Sequence, residues 1–133
     1  MAHTSESRHL SVSINRDFDT SYDFLCLPEN FPKWASGLAG ALRRLGNDWV
    51  THTAKGPLKV RFSERNSLGV LDHWVFPQAG LEIYVPLRLV VNGTGCELIL
   101  TLFRQPDMSD EQYAADAEWV MRDLASAKRL LES

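Results

Sequence analysis

Leu87-Arg-Leu-Val-Val-Asn-Gly-Thr-Gly-Cys-Glu-Leu-Ile-Leu-Thr-Leu-Phe103 is too long for one strand and carries its own turn. In Asn92-Gly93-Thr94-Gly95 the glycines supply the positive backbone angles that a tight reversal needs. With Gly93 and Thr94 as the loop, Val91 faces Cys96, Leu89 faces Leu98, Leu87 faces Leu100 and, just upstream, Val85 faces Leu102. All of these are apolar, so the hairpin has one side made to be buried. The opposite side takes Tyr84, Arg88, Val90, Glu97, Ile99, Thr101 and Phe103, a mixed set that reads as the outside.

Upstream, a turn at Lys55-Gly56 sets Thr53 opposite Leu58, Thr51 opposite Val60 and Trp49 opposite Phe62, with His52, Lys59 and Arg61 on the other face. A loop at Ser67-Leu68-Gly69 pairs Phe62 with Trp74, Val60 with Phe76 and Glu64 with Asp72; a slip of one residue exchanges Trp74 for His73. Strand candidates therefore lie at about 41–46, 48–54, 57–65, 70–77 and 81–104, the last split by its turn. Before them, Leu10, Val12 and Ile14 alternate with His9, Ser11 and Ser13 as a first strand. Asp17 or Asp19 caps a short helix holding Tyr22, Phe24, Leu25 and Cys26, which Pro28 ends, and a second short helix covers Glu29 to Ala35 before Gly37 and Gly40 break the pattern.

After Pro106 the period changes. Tyr113, Ala117, Val120, Leu124, Ala127 and Leu131 recur at helical spacing behind a Ser109 cap, with Asp110 and Glu111 in the first turn and Lys128 and Arg129 near the last. A helix of about 22 residues spans about 33 Å, enough to cross a small sheet. Its apolar stripe needs a large partner, and the sheet's apolar face is the one available.

The chain has 133 residues, room for one domain, and we read residues 1–7 as a disordered polar leader and 8–133 as that domain. Fourteen basic and 17 acidic side chains leave a net charge of −3, without the positive field that nucleic acid or anionic lipid demands. Cys26 and Cys96 form neither a CxxC pair nor a Cys/His cluster, so no disulfide, metal or cofactor is expected. No stretch approaches the roughly 18 apolar residues of a membrane span, and the start lacks the apolar run of a secretory signal, so the expected location is cytoplasmic, without membrane insertion. The glycosylation pattern at Asn92-Gly93-Thr94 is already explained by its turn chemistry.

The order strand, two short helices, strands and long terminal helix resembles the helix-grip fold of the START-like (SRPBCC) superfamily, particularly its small polyketide cyclase/dehydrase and lipid-transport group. The residues that carry the resemblance are Tyr22-Asp-Phe-Leu25, Pro28-Glu-Asn-Phe-Pro-Lys-Trp34, Gly69-Val-Leu-Asp-His-Trp-Val75 and Ala115-Asp-Ala-Glu-Trp-Val-Met-Arg-Asp-Leu124. None is a catalytic signature. The implied fold is α+β, a seven-stranded curved antiparallel sheet around the C-terminal helix, with two short helices after strand one. The resemblance also implies a cavity between sheet and helix in which members hold lipids, polyketides or other apolar molecules.

Our reading of the faces gives that cavity a lining: Trp34 from the roof, Trp49, Thr51, Phe62, Trp74, Phe76, Leu87 and Leu100 from the sheet, and Tyr113 and Val120 from the helix. Each of the aromatics serves equally as ordinary core packing. Arg43 and Arg44 are adjacent in a strand, so one turns inward unless a bulge or strand end intervenes; Arg44 is carried as the ligand clamp. Asp72, Glu64 and His73 are the acid/base candidates, although Asp72 and His73, as neighbours in a strand, point to opposite faces. Three functions follow: binding of a small apolar or amphipathic molecule, a cyclase or dehydratase working in the same cavity, and an interaction module or homodimer with a filled interior using Tyr84, Val90, Ile99 and Phe103.

Overall fold

The computed structural model describes residues 1–36, 41–53 and 56–133. Its elements run β1 (Ser7–Ile14), α1 (Phe18–Leu25), a 3-10 turn at Pro28–Asn30, α2 (Phe31–Trp34), β2 (Arg43–Leu45), β3 (Asp48–Thr53), β4 (Gly56–Phe62), β5 (His73–Gln78), β6 (Leu81–Val85), β7 (Leu87–Asn92), β8 (Gly95–Phe103) and α3 (Asp110–Glu132). All strand pairs are antiparallel, in the orders β1-β8-β7 and β2-β3-β4-β5-β6. This is the helix-grip architecture, with one strand more than the seven expected. The extra strand arises at Pro86, which has no N–H to give the ladder and divides the 81–92 stretch into β6 and β7. Val85 accordingly pairs with His73 of β5 and not with Leu102. The two sheets are stitched where Gly69–Leu71 runs beside β7: the Leu71 N–H donates to Leu87 O and the Leu89 N–H to Gly69 O, both at 2.8 Å.

The β7–β8 register is the one the turn chemistry requires, with Leu87 opposite Leu100, Leu89 opposite Leu98 and Val91 opposite Cys96. Leu87, Leu89, Cys96, Leu98 and Leu100 are buried, and α3 lays Leu124, Ala127 and Leu131 onto them. Alanine at 117 and 127 keeps the helix close to the sheet, and both are buried. Ser109 caps α3 by accepting from the Gln112 N–H, as Asp17 caps α1 by accepting from Thr20. The far end is tied to β1: the Lys128 ammonium donates to Ser13 O at 2.6 Å and the Asn15 N–H to Glu132 at 2.7 Å. Ser7 is the first residue of β1 and not the last of a free leader, and the Arg104 N–H donates to Glu6 O.

Two expected registers are corrected. In β3–β4, Trp49 faces Val60 and Thr51 faces Leu58, two residues from the expected pairing. A shift of two keeps every side chain on its face; of the turn proposed at Lys55-Gly56, Lys55 lies outside the described residues. In β4–β5 the displacement is one residue, and it inverts β5: Phe62 pairs with His73, Arg61 with Trp74 and Lys59 with Phe76. The connection is not a three-residue hairpin. It is a loop from Ser63 to Asp72 folded around Asn66, whose amide bonds Glu64 O and Val70 O and accepts from the Leu68 and Val70 N–H groups, so tight-turn geometry does not set its register.

Gly69 and Gly93 both hold positive φ, but only Gly69 is pressed against backbone: an added Cβ would stand 2.1 Å from Leu89 O, whereas nothing lies within 4 Å at Gly93. Gly69→Ala is therefore expected to cost about 3 kcal/mol or more and Gly93→Ala about 1 kcal/mol in urea unfolding. Equal losses at the two sites would show that the join between the sheets is not under this constraint.

Candidate functional site

Short helix α2 exists to place aromatic rings. Pro28 opens the 3-10 turn ahead of it, the Asn30 side chain donates to Phe24 O, and the chain then turns Phe31 and Trp34 toward the sheet. Phe31 stands edge-on to Trp34, Phe62 and His73, with centroids 5.1, 5.3 and 5.2 Å away. Behind these rings a cavity of about 160 Å³ is bounded by Phe31, Trp34 and Ala35, by His73 and Val85, by Leu100 and Leu102, and by Val120, Asp123 and Leu124 of α3.

Three polar groups belong to this apolar wall. Trp34 is 4% exposed, and its indole N–H has no partner among the described residues. Asp123 is half-buried; its Oδ1 accepts from the Ser36 N–H at 3.0 Å and the Ser36 hydroxyl at 2.5 Å, while no bond among the described residues engages its Oδ2. Burial pushes its carboxyl above the ordinary carboxylate range, against the opposing Ser36 hydrogen bonds. His73 is buried, and burial lowers it to about 4, so the ring is neutral at pH 7. Its Nδ1 lies 3.4 Å from Leu71 O, an acceptor only, which assigns the proton to Nδ1 and leaves Nε2 as an acceptor.

Of the residues expected to line the cavity, the structure brings together Trp34, Leu100 and Val120, and adds His73. Phe62 packs behind Phe31 and His73, Leu87 lies in the core, Thr51 is buried in β3, and Tyr113 is buried with its hydroxyl donating to Leu102 O. Trp49 is half-buried opposite Arg44, so Arg44 shares its face, but Arg44 is exposed on the edge strand and donates to Gly46 O. Trp74 and Phe76 are corrections: the β5 register turns both outward, where Trp74 stacks on Tyr84 and Phe76 lies beneath Lys59 and Arg61.

Asp72 also faces outward. It is 5% exposed and has both oxygens filled: Oδ1 accepts from the Leu87 N–H and Arg88 Nε, Oδ2 from the Tyr84 hydroxyl and the Arg88 terminal nitrogen, at 2.6 to 2.9 Å. Burial raises its carboxyl, but the Arg88, Tyr84 and Leu87 bonds together outweigh that and hold it below the ordinary value. Glu64 is exposed in the loop, and the Ser63 N–H, not the Glu64 side chain, meets Asp72 through its backbone oxygen. Sequence reasoning missed Asp123, although its signal was present: three residues beyond Val120 and next to Leu124, it interrupts the helix's apolar stripe with a charge. Among the described residues no group of His, Cys, Asp and Glu side chains could hold a metal ion, and no helix is long and apolar enough to cross a membrane.

No family model matches the chain, and no curated protein matches it in sequence. Its fold is similar to solved structures of low identity. An uncharacterised protein from Bacillus thuringiensis superposes with a TM-score of 0.75 at 10% identity, over 96% of this chain and 100% of that one. The Aha1 dimer from Colwellia psychrerythraea gives 0.67 at 14% identity, over 96% of each chain. DynU16, a protein in the dynemicin biosynthetic locus, gives 0.69 at 16% identity over 96% of this chain and 47% of that one, so this chain spans about half its length. Together these show the helix-grip-like fold.

The depressed His73 has a consequence for stability. Its folded value of about 4 lies below the ordinary 6.5, so as pH falls from 6.5 the unfolded chain takes up a proton that the folded chain refuses. The loss is expected to reach about 3 kcal/mol by pH 4. His73→Leu should flatten that limb, compared by urea unfolding at pH 7 and pH 4.5; parallel curves for the two proteins would mean that His73 is not held neutral by burial.

Proposed function

We propose that the chain is a START-like binding protein for a small apolar or amphipathic molecule, held between α2, the sheet and α3. The observation that carries this reading is a largely apolar cavity whose three polar groups include a buried indole N–H without a partner among the described residues. An unpaired buried donor costs about 1–3 kcal/mol, and a ligand acceptor placed there removes that cost. Size narrows the class. A cavity of about 150 Å³ lined by aliphatic side chains accepts benzene, whereas drug-sized ligands occupy about 300–1,000 Å³. The site at about 160 Å³ matches a single ring or a short branched chain better than a lipid or a polyketide chain.

The cyclase or dehydratase alternative has less support. Asp72 points away with its oxygens occupied, and Glu64 is exposed, so of the three acid/base residues expected from the sequence His73 is the one beside the cavity. An imidazole titrating at about 4 is a weak base at pH 7.

Titration of ¹⁵N-labelled protein with benzyl alcohol tests the binding reading. The Trp34 indole N–H resonance, assigned by its loss in Trp34→Phe, should shift saturably, while those of outward Trp74 and half-exposed Trp119 stay in place. Val120→Trp fills the cavity and should abolish the shift without lowering stability by more than about 1–3 kcal/mol. An unmoved Trp34 signal, or an undiminished response in Val120→Trp, overturns the reading. Asp72→Asn should leave binding intact and lower stability by about 1–3 kcal/mol through loss of the Arg88 pair.

A further inference from the structure

The polar groups of the cavity carry a sign as well as a shape. Among the described residues no lysine or arginine lines it, and its ionisable groups are one carboxylate, Asp123, and one imidazole kept neutral by burial. One oxygen of Asp123 is spent on Ser36, joining the end of α2 to α3, a closure that the Trp119 indole N–H strengthens by donating to Ser36 O at 3.4 Å. The other oxygen is unused among the described residues. Arg122, the residue before it on α3, is the cation that acts on Asp123, but its guanidinium lies 5.0 Å over the Trp119 ring and is in no ion pair with that carboxylate. Two turns earlier on the same face of α3, Asp116 is half-buried and also in no ion pair among the described residues. The inward edge of the helix thus presents negative charge without a matching positive one.

Opposite this edge stand Phe31 and Trp34, 5.1 Å apart and at 82° to one another. Aromatic faces attract cations, and a carboxylate beside them adds a charge-assisted hydrogen bond. An anionic ligand meets only repulsion from Asp123. A neutral ligand gains the apolar burial and leaves the free carboxylate oxygen without a counter-charge. A compact ammonium ion uses both elements at once.

We propose that the cavity selects a single-ring or short-chain primary amine in its protonated form, the ammonium group on the free oxygen of Asp123 and the carbon body against Phe31, Trp34, Leu100 and Val120. This deepens the binding reading and rests on it. Selectivity comes from Asp123, whose Ser36 bonds hold the carboxylate in place before the ligand arrives. The pre-positioned charge lets the gain appear as affinity and not as ordering of a loose side chain.

The test compares three ligands of nearly equal shape that differ in charge: benzylamine, benzyl alcohol and benzoate, each followed at pH 7 by the Trp34 indole N–H signal. Benzylamine should bind roughly tenfold tighter than benzyl alcohol, and benzoate weakest of the three. Asp123→Asn keeps an oxygen to accept from Ser36 and removes the charge, and should bring the amine and the alcohol to equal affinity. Equal affinities in the unaltered protein, or an amine preference that survives Asp123→Asn, overturn the amine assignment while leaving the cavity as a binding site. If none of the three ligands moves the Trp34 signal, the binding reading falls and the amine assignment falls with it. Should Asp123→Asn fail to fold, the ranking of the three ligands on the unaltered protein decides the question by itself.

Discussion

The carboxylate of Asp72 governs more of this molecule than any other single group, because four donors from three places in the chain converge on it: the Leu87 N–H, two nitrogens of Arg88 and the Tyr84 hydroxyl. Half of its partners arrive on a guanidinium that is itself half-exposed, so the cluster lies at the outer surface of the sheet and not in its interior. Once Asp72 is held outward, the alternation of an extended chain turns His73 inward, then Trp74 outward, and so on along β5. The composition of the cavity follows. An imidazole occupies the position an indole would otherwise fill, between Phe31 and Val85 on the cavity wall.

Space remains there for a second reason. On the β1-β8-β7 side, α3 meets the sheet through Ala117, Leu124, Ala127 and Leu131, and small residues at 117 and 127 let the backbone approach until Leu98 and Leu124 are fully enclosed. Toward β5 and β6, Phe31 and Trp34 of α2 stand between helix and sheet, and Ser36, just past α2, bonds Asp123 of α3. The cavity is the region where helix and curved sheet diverge.

Local chemistry explains which parts of this were legible beforehand. The Asn92–Gly95 turn dictates its own register, so Leu87, Leu89, Leu98 and Leu100 were assignable to the buried face, and the period of 3.6 with the Ser109 cap located α3. The β4–β5 connection has no such signal. Its geometry comes from the Asn66 amide folding the loop around itself, and from two contacts between residues distant in the chain: the Tyr22 hydroxyl that accepts from the Asn66 N–H, and the Asp72 cluster. A displacement of one residue there was enough to move Trp74 and Phe76 from the cavity to the surface. For β3–β4 the displacement was two, and the faces survived. Parity alone separates a harmless error from one that changes the site.

Asp123 shows how a single residue can belong to both the fold and the site. A serine or asparagine would serve equally well as acceptor for the Ser36 N–H, so the closure of α2 on α3 does not account for a full charge at this position. That charge is costly where it stands, since burial already pushes the carboxyl upward, and the Trp34 N–H of the same cavity is unsatisfied among the described residues as well. One unpartnered donor and one partly compensated carboxylate on a small apolar cavity lower the stability of the empty protein. A molecule that satisfies either of them returns part of that energy on binding, and by linkage it stabilises the folded chain in proportion to the logarithm of its concentration. The same two groups that weaken the empty fold are therefore the ones through which occupancy is felt at the α2–α3 closure.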